Sequence, residues 1–282
     1  MLEIDNLSFR YPGRNRDTIN NLSLEITPGG TYGLLGRNGV GKSTLLYLIA
    51  GLLTPDHGCV KLDGTPTRSR LPHTLQSIMI VPEELTLPPI TLKRYVEINA
   101  PLYPRFSMDD MQRHLTTFEI DPEMPYKLTS LSMGQRKKVY MSFALACNTP
   151  LVLMDEPTNG LDIPGKMAFR RFVAANMTDE RTIIISTHQV RDVETLLDHV
   201  LIISPESVLL NASTAAIAAR LAFVHTTDPE VASRALYAQP AIGGISAVLP
   251  NDGSYDTEIN LESLFELASQ QPETIKRLFP EQ

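Results

Sequence analysis

A glycine-rich loop between an apolar run and a helix constrains this chain more than any other stretch. The segment Gly36-Arg37-Asn38-Gly39-Val40-Gly41-Lys42-Ser43 fits G-x-x-x-x-G-K-[ST] and lies between TYGLLG (31–36) and KSTLLYLIAGL (42–52). Glycines let the backbone curl so that successive N–H groups surround a phosphate, and the helix N-terminus adds partial positive charge. We therefore predict a phosphate site in which Lys42 reaches the β and γ oxygens and the Ser43 hydroxyl is a ligand for Mg²⁺. The alternative is a glycine-rich turn with a lysine cap.

Two carboxylates follow another apolar run, LVLMD (151–155). Ligands of open α/β sheets bind at the carboxyl ends of the strands, so Asp155 is expected beside the glycine loop, where Mg²⁺ would sit. Glu156 comes one residue later and points differently, which suits it to orient an attacking water or accept its proton. Alone, such a pair is more often a helix cap or a surface charge. Together with the glycine loop it indicates a site.

The order of the apolar runs predicts a mostly parallel sheet. The segments LEIDNLSF (2–9) and TINNLSLEI (18–26) form an antiparallel hairpin around a Pro-Gly turn. Later strands are expected at 31–36, 59–64, 77–82, 151–155 and 182–186, with helices at 42–52, 133–147 and near 163–176. This β-α-β order with continuous apolar strands is typical of a parallel sheet covered on both faces.

Two segments depart from this order. Residues 84–130 are rich in proline and have helical periodicity, which predicts a helical insertion between strands. After about residue 211, a unit of helices and short strands ends in a single closing helix, ESLFELASQQPETIKRLF. The sequence thus predicts a domain at 1–210 and a small α+β appendage at 211–282, in which we find no chemical motif.

Composition restricts the classes of function. The formal net charge is −7, which disfavours a surface that tracks a nucleic-acid backbone. Cys59 and Cys147 lie far apart without metal-ligand or CxxC spacing, so we expect buried reduced thiols in a reducing compartment. The start of the chain does not resemble a signal peptide, and no run approaches the roughly 18–20 apolar residues of a membrane span. Any work at a membrane would need a partner that holds the chain there.

Four segments together carry a resemblance to a known family. GRNGVGKST, LSMGQ (131–135), LVLMDEPTNGLD and His188 in ISTHQV, in this order, resemble the nucleotide-binding subunit of an ATP-binding cassette (ABC) transporter over about residues 1–210. LSMGQ by itself is also compatible with a serine cap of a helix. The resemblance implies an α/β fold, the P-loop NTPase of ABC ATPase type, with a mostly parallel core sheet, an antiparallel β-subdomain and a helical subdomain.

The resemblance also implies roles for individual residues, with ATP and Mg²⁺ as the ligands. Glu156 would be the catalytic base, His188 would contact the γ-phosphate, and Ser43, Asp155 and Glu83 would serve the metal. Glu83 stands where the family most often has glutamine, and its carboxylate adds negative charge near phosphate. The residues implied to contact ATP are Tyr11, Gly36, Arg37, Asn38, Gly39, Val40, Gly41, Lys42, Ser43, Thr44, Glu83, Ser132, Gly134, Gln135 and Asp162.

Two of these positions, Tyr11 and Asp162, keep an alternative, and the neighbouring Met133 departs from the family pattern. Tyr11 would stack on adenine, but it is also compatible with an ordinary strand aromatic. Asp162 matches a loop that crosses to a partner subunit, although a helix N-cap is equally compatible. Met133 replaces the glycine that is commonest in the middle of LSMGQ, whereas Ser132 and Gly134 are kept.

The family geometry implies an assembly. Ser132, Gly134 and the helix that begins there would cover the γ-phosphate of ATP on a second chain, so two sites would form in a head-to-tail dimer. That dimer would be a homodimer or a heterodimer with another ABC ATPase subunit. Hydrolysis would weaken it and convert a chemical step into a motion.

The short helical segment and the appended C-terminal unit are most similar to ATPases paired with a separate ABC-2 type transmembrane permease. This implies a cytoplasmic protein bound to the inner face of the cell membrane through that permease, and export as the direction of transport. One alternative is a soluble ABC ATPase that acts on the ribosome or DNA; those relatives usually carry two cassettes or a long coiled-coil insertion. A non-catalytic nucleotide sensor is the other, and Glu156, Lys42 and His188 argue against it.

Overall fold

The computed structural model describes residues 1–205 and 207–280. Its strands are β1 Leu2–Phe9, β2 Ile19–Ile26, β3 Gly30–Leu35, β4 His57–Leu62, β5 Thr65–Pro66, β6 Ile78–Val81, β7 Leu151–Asp155, β8 Thr182–Ser186, β9 His199–Ile203, β10 Val208–Ser213, β11 Leu221–Thr226, β12 Tyr237–Ala241 and β13 Gly244–Pro250. Its helices are α1 Lys42–Ile49, α2 Pro72–Leu75, α3 Leu92–Asn99, α4 Met108–Thr117, α5 Met133–Ala146, α6 Ile163–Ala175, α7 Thr214–Arg220, α8 Pro229–Ser233, α9 Leu261–Gln270 and α10 Pro272–Leu278.

A six-stranded sheet in the order β10-β9-β3-β8-β7-β6 forms the centre, and all its pairs are parallel except β10 with β9. The residues of strand β7 show how this sheet is packed. Val152 and Met154 belong to one hydrophobic core, whereas Leu151 and Leu153 belong to another. Successive side chains of a strand point to opposite faces, so the sheet is buried on both sides, as the continuous apolar runs predict.

An antiparallel sheet in the order β2-β1-β4-β5 covers one of these faces together with α1. The other face carries the helices of the inserted segment. Residues 84–130 contain α3, α4, two 3₁₀ turns and one isolated bridge between Thr91 and Lys127. The rings of Tyr95, Tyr103 and Phe106 lie 5.3, 6.2 and 5.5 Å from that of Phe143, so the insertion is packed around the C-terminal half of α5.

The C-terminal elements form a three-stranded antiparallel sheet, β11-β13-β12, with α7 to α10 around it. Their buried side chains share one hydrophobic core with the central sheet: Leu264 and Leu267 of α9 belong to the same cluster as Val200 and Ile202 of β9. Strand β10 continues across residue 210. The division into units at 1–210 and 211–282 stays a prediction.

The expected single closing helix is wrong, because the structure has two. Helix α9 ends at Gln270 and α10 begins at Pro272, with Gln271 between them at φ −130° and ψ 61°. Proline has no backbone N–H to continue the hydrogen-bond ladder, and it excludes the helical conformation from the residue before it. Pro272 therefore starts a new helix in place of continuing the first.

The two cysteines differ in environment. Cys147 is buried after the end of α5, and burial raises the pKa of its thiol. Cys59 is only half-buried in β4, so the expectation of two buried thiols is wrong for this residue. Val60 and Leu62 take the buried positions of the strand, and alternation turns Cys59 the other way.

Candidate active site

Four loops meet at one edge of the central sheet, because β3, β6, β7 and β8 run parallel and end there. The glycine loop (36–41) follows β3, and Glu83 comes soon after β6. Asp155 ends β7 and Glu156 follows it, while His188 comes two residues after β8. The fold thus brings together the loops that the sequence places up to 152 positions apart, from residue 36 to residue 188.

The glycine loop has the conformation that its residue types predict. Gly41 is the N-cap of α1 at φ 108°, and a Cβ there would lie 2.9 Å from the carbonyl oxygen of Thr18. Only glycine fits this backbone without strain. The buried Lys42 donates from Nζ to the carbonyl oxygens of Gly36 (2.8 Å) and Arg37 (3.4 Å). These bonds use two of the three N–H donors and hold the ammonium against its own loop.

Lys42 is electrostatically coupled to the carboxylates of the other loops. Burial lowers the pKa of Lys42, and the negative charges of Glu156, Asp155 and Glu83 oppose that shift. The site therefore combines two buried lysines, Lys42 and Lys137, with three carboxylates. A triphosphate would add negative charge, which a divalent cation would offset.

Asp155 meets the requirement for a cation site. Its side chain is 1% exposed, Oδ1 accepts a hydrogen bond from Ser186 Oγ, and Oδ2 is buried without a hydrogen-bond partner. An unpaired buried carboxylate oxygen is costly, and a hydrated divalent cation would satisfy it. Among the described residues no group of three or more His, Cys, Asp or Glu could hold a metal. Mg²⁺ is usually bound by one or two carboxylates plus waters and substrate phosphates, so the carboxylate of Asp155 is a sufficient protein ligand for it.

Glu156 is fixed from three sides. Its carboxylate accepts hydrogen bonds from Thr187 Oγ1 (3.1 Å), from the His188 backbone N–H (3.0 Å) and from His188 Nδ1 (2.7 Å). An ionised carboxylate only accepts, so Nδ1 carries the hydrogen and Nε2 is the nitrogen left for another ligand. The backbone of Glu156 is left-handed at φ 44°, which is uncommon for a residue other than glycine.

Two residues that the sequence analysis did not identify, Lys137 and Asn159, contact the loops of the site around Glu156 and Glu83. Lys137 of α5 is 2% exposed and donates from Nζ to the carbonyl oxygens of Glu156 (2.9 Å) and Asn159 (3.1 Å). Asn159 in turn donates from Nδ2 to Glu83 Oε1 at 3.0 Å. Lys137 belongs to the charge run RKK, but it also lies four positions before the buried Met141. That helical spacing was the available signal for burial.

Tyr11 lies beside the glycine loop. Its hydroxyl is 3.2 Å from Thr44 Oγ1 in α1, and its ring packs edge-on against Phe9 with 4.9 Å between centroids. The structure therefore ties this half-buried aromatic to the first turn of α1, whereas its contact with adenine stays a prediction.

The segment LSMGQ forms the start of α5. Ser132 is the N-cap: its Oγ accepts from the Gln135 N–H at 3.2 Å, and the Gln135 side chain accepts from the Ser132 N–H at 3.0 Å. The helix-cap alternative is thus realised. It is compatible with phosphate binding, since an accepting hydroxyl still has an O–H to donate. Met133 is 63% exposed beside it.

Asp162 caps the next helix. Its Oδ1 accepts from the Gly165 N–H at 3.0 Å at the start of α6. The N-cap alternative is therefore also realised for this residue, and its contact with a partner chain stays a prediction.

The fold and the loops at the sheet edge define a class: a P-loop NTPase of the ABC ATPase type, with antiparallel and helical subdomains on a mostly parallel sheet. Residues 19–159 match the family described as ABC transporter, and the chain belongs to that family. It is an ABC transporter ATP-binding subunit and an ATPase.

The chain is similar to several curated proteins and solved structures. It is 29% identical over 219 residues to the ABC transporter ATP-binding protein NatA of Bacillus subtilis, covering 74% of this chain and 88% of that protein. It is 31% identical over 192 residues to the Nod factor export ATP-binding protein I of Burkholderia lata, covering 66% and 62% respectively. The dimeric post-hydrolysis structure of the ATP-binding cassette MJ0796, bound to ADP and Pi, matches its fold with a TM-score of 0.67 at 24% identity, over 76% of this chain and 98% of that one.

Proposed function

We propose that this chain is the ATP-hydrolysing motor of an exporter and works as a dimer on a separate membrane permease. One observation carries the proposal: the Glu156 carboxylate is held by Thr187 and His188 at the sheet edge where Lys42 and the glycine loop lie. A carboxylate of fixed direction beside a triphosphate site is suited to orient water and accept its proton.

The glycine loop and α1 bind the phosphates of ATP. The N–H groups of residues 38–41 and the positive end of α1 surround the β-phosphate, and the Lys42 ammonium neutralises charge on the β and γ oxygens. Tyr11 contacts the adenine from its place beside Thr44. The other loop residues, Gly36 to Gly41 with Ser43 and Thr44, shape this cradle.

Ser43, Asp155 and Glu83 are the residues that would hold Mg²⁺, which when bound neutralises charge on the phosphate oxygens. The unpaired Asp155 Oδ2 supports this assignment. Glu83 is also fixed by the amide of Asn159, which leaves its second oxygen for the metal or its waters.

Glu156 and His188 act on the attacking water and the γ-phosphate. As the water oxygen bonds to the γ-phosphorus, Glu156 accepts the water proton and the bond to the β-γ bridging oxygen breaks, which yields ADP and phosphate. His188 Nδ1–H keeps the carboxylate in place, and Nε2 donates to a γ-phosphate oxygen in the imidazolium form, in which this nitrogen also carries a hydrogen.

A second chain completes each site. Ser132 O–H, the Gly134 N–H and the Gln135 end of α5 contact the γ-phosphate held by the partner, and Asp162 lies at the crossing between chains. A structural neighbour of this chain is also dimeric.

A mixture of two variants tests the shared site. Ser132→Arg chains mixed with Lys42→Ala chains would form one intact site and one doubly broken site per heterodimer. ATP hydrolysis should recover above that of either variant alone. Once heterodimers are verified by mass, hydrolysis that stays at the level of the single variants contradicts the shared site.

The permease and the direction of transport rest on relatives. Among the described residues, none of the helices combines the length and apolar character that a membrane crossing requires. One similar protein is named a Nod factor export ATP-binding protein and another a SkfA peptide export ATP-binding protein. We place this chain likewise on the inner face of the cell membrane, bound to a permease and exporting its cargo.

Affinity purification from detergent-solubilised membranes tests the partner. A polytopic membrane protein should co-purify with the tagged chain in stoichiometric amount. Sedimentation of the chain with ribosomes or retention on DNA, without a membrane protein, would contradict the proposal and favour a soluble ABC ATPase.

A further inference from the structure

A lysine is buried where α5 meets the loop after β7. Lys137 is 2% exposed, and its ammonium donates to two main-chain carbonyl oxygens, those of Glu156 (2.9 Å) and Asn159 (3.1 Å). Lysine is almost never fully buried unless it is paired. Burying this charge therefore has a cost that simple helix packing would avoid with an apolar residue.

The bonded carbonyls belong to an unusual turn. Glu156 has a left-handed backbone at φ 44°, and the Asn159 N–H donates to the Glu156 carbonyl oxygen at 3.1 Å, so residues 156–159 form a tight turn. Residues other than glycine rarely adopt this backbone conformation, so contacts with the surrounding structure must stabilise it. The Lys137 ammonium thus forms hydrogen bonds with the first and the last residue of this turn.

The same helix touches the following residues at its start. A Cβ at Gly134 would lie 3.0 Å from the carbonyl oxygen of Gly160, and a Cβ at Gly160 would lie 2.4 Å from Met133 Cε. Helix α5 thus contacts the loop 156–160 along its first two turns. One end of this contact is the start of the helix at Ser132, and the other is the backbone of Glu156.

We propose that Lys137 is a positioning residue that holds the turn 156–159 and thereby sets the direction of the Glu156 carboxylate toward water. It also joins that turn rigidly to the helix whose first residues face the partner's ATP. The inference rests on the proposed function, because it assumes that Glu156 is the base. A further bond, from Asn159 to Glu83, extends the same network to the loop after β6.

The test replaces Lys137 by methionine, which is similar in length and has no N–H donors. ATP hydrolysis of the purified full chain should lose about 100-fold in kcat with KM changed by less than about twofold, because a small misplacement of a catalytic group lowers the rate without weakening the phosphate loop. Lys93→Met is the matched control, an exposed lysine of α3, and should retain kcat. Lys137→Arg, which keeps a charged donor, should recover at least about a tenth of the wild-type kcat.

Several outcomes overturn the proposal: a kcat of Lys137→Met within about threefold of wild type, a loss that appears in KM alone, or an equal loss in Lys137→Met and Lys137→Arg. If Lys137→Met fails to fold, Lys137→Gln replaces it, since its polar amide suits the site but ends one atom short of the ammonium and cannot reach both carbonyl oxygens, and its kcat should lie below that of the wild type at unchanged KM. A wild-type kcat in Lys137→Gln then counts against the proposal.

Heterodimers separate two ways in which Lys137 could act. In the mixture of Ser132→Arg and Lys42→Ala chains, the intact site takes Glu156 from the Ser132→Arg chain and Ser132 from the other. Lys137→Met added to the Ser132→Arg chain should abolish the recovered activity, whereas the same change in the Lys42→Ala chain should leave most of it. The reverse pattern would mean that Lys137 places Ser132 and not Glu156.

A further variant distinguishes this inference from the proposed function. If Glu156→Gln keeps the wild-type rate, Glu156 is not the base and both ideas fail. If Glu156→Gln is inactive while Lys137→Met is normal, only the positioning role of Lys137 fails.

Discussion

Glu156→Gln changes one charge in the site and keeps its shape. In the structure the carboxylate accepts from Thr187 Oγ1, the His188 N–H and His188 Nδ1. The amide oxygen of glutamine can keep both bonds from His188. The new NH₂ group then faces Thr187 Oγ1, which can reverse its role and accept, because a hydroxyl has two lone pairs.

The two expected magnitudes differ widely. Hydrogen bonds to charged groups contribute about 1.5–3 kcal/mol and neutral ones about 0.5–1.5 kcal/mol, so the retained bonds weaken. Removing the negative charge of Glu156 beside Asp155 offsets part of that loss, and we expect the free energy of unfolding to change by about 1 kcal/mol. Loss of a general base costs about 10²–10⁴ in rate, equivalent to roughly 3–5 kcal/mol of activation free energy.

Three measurements on one preparation check this. Phosphate release at saturating ATP gives kcat, urea unfolding gives stability, and size-exclusion chromatography with ATP should reveal a trapped dimer. Glu25→Gln, an exposed carboxylate in β2, is the control and should match the wild type in all three.

The reasoning is refuted if Glu156→Gln hydrolyses ATP within about tenfold of the wild-type rate, since a base is worth at least about 10². It is also refuted if the free energy of unfolding falls by more than about 3 kcal/mol, because the hydrogen bonds of the side chain would then not have been retained. In that case the loss of rate would follow from structural damage.

Two further predictions concern the thiols and the C-terminal core. In the folded protein a thiol reagent should modify the half-buried Cys59 and leave Cys147 unmodified, because Cys147 is inaccessible and burial raises the pKa of its thiol; peptide mass spectrometry checks this, and equal labelling rates would contradict it. Leu267→Ala should lower the free energy of unfolding by about 2–5 kcal/mol in one cooperative transition, because Leu267 is fully buried in the core shared with the central sheet. Leu52→Ala, at a residue that is 52% exposed, should change it by less than about 0.5 kcal/mol; a separate early transition in Leu267→Ala would show that the C-terminal unit folds independently.

Four of the six strands of the central sheet, β3, β6, β7 and β8, and the glycine loop could be predicted because their signals are local, whereas β9 and β10 were not predicted. LVLMD is apolar at every position, and the structure places β7 at those residues with both faces buried. The loop Gly36–Ser43 is defined by residue types that the backbone itself requires, such as Gly41 at φ 108°. Neither signal depends on a distant partner.

The contacts that fix the catalytic loops could not be predicted in the same way. Asn159 and Glu83 are 76 positions apart, and Lys137 is separated from Asn159 by 22. Such pairings depend on the packing of α5 against the sheet, which helical periodicity does not encode. The left-handed backbone of Glu156 could not be predicted either, because this position is not a glycine.

Two predictions, the single closing helix and the burial of Cys59, are wrong at positions where the sequence holds a local signal. Pro272 interrupts the closing helix, and proline inside a helical pattern normally ends the helix before it. Cys59 alternates with Val60 and Leu62, which the period of a strand assigns to the opposite face.

Helix α9 places an aromatic ring next to the phosphate loop. A cavity of about 380 Å³ is lined by Phe265 and Ser269 of α9 and by Arg37 to Val40 of the glycine loop, among other residues. The chain has no tryptophan, so Phe265→Trp would install a single indole fluorophore with room for its larger ring. We expect its fluorescence emission to change when nucleotide binds to the glycine loop. Binding could then be measured without a label attached to ATP.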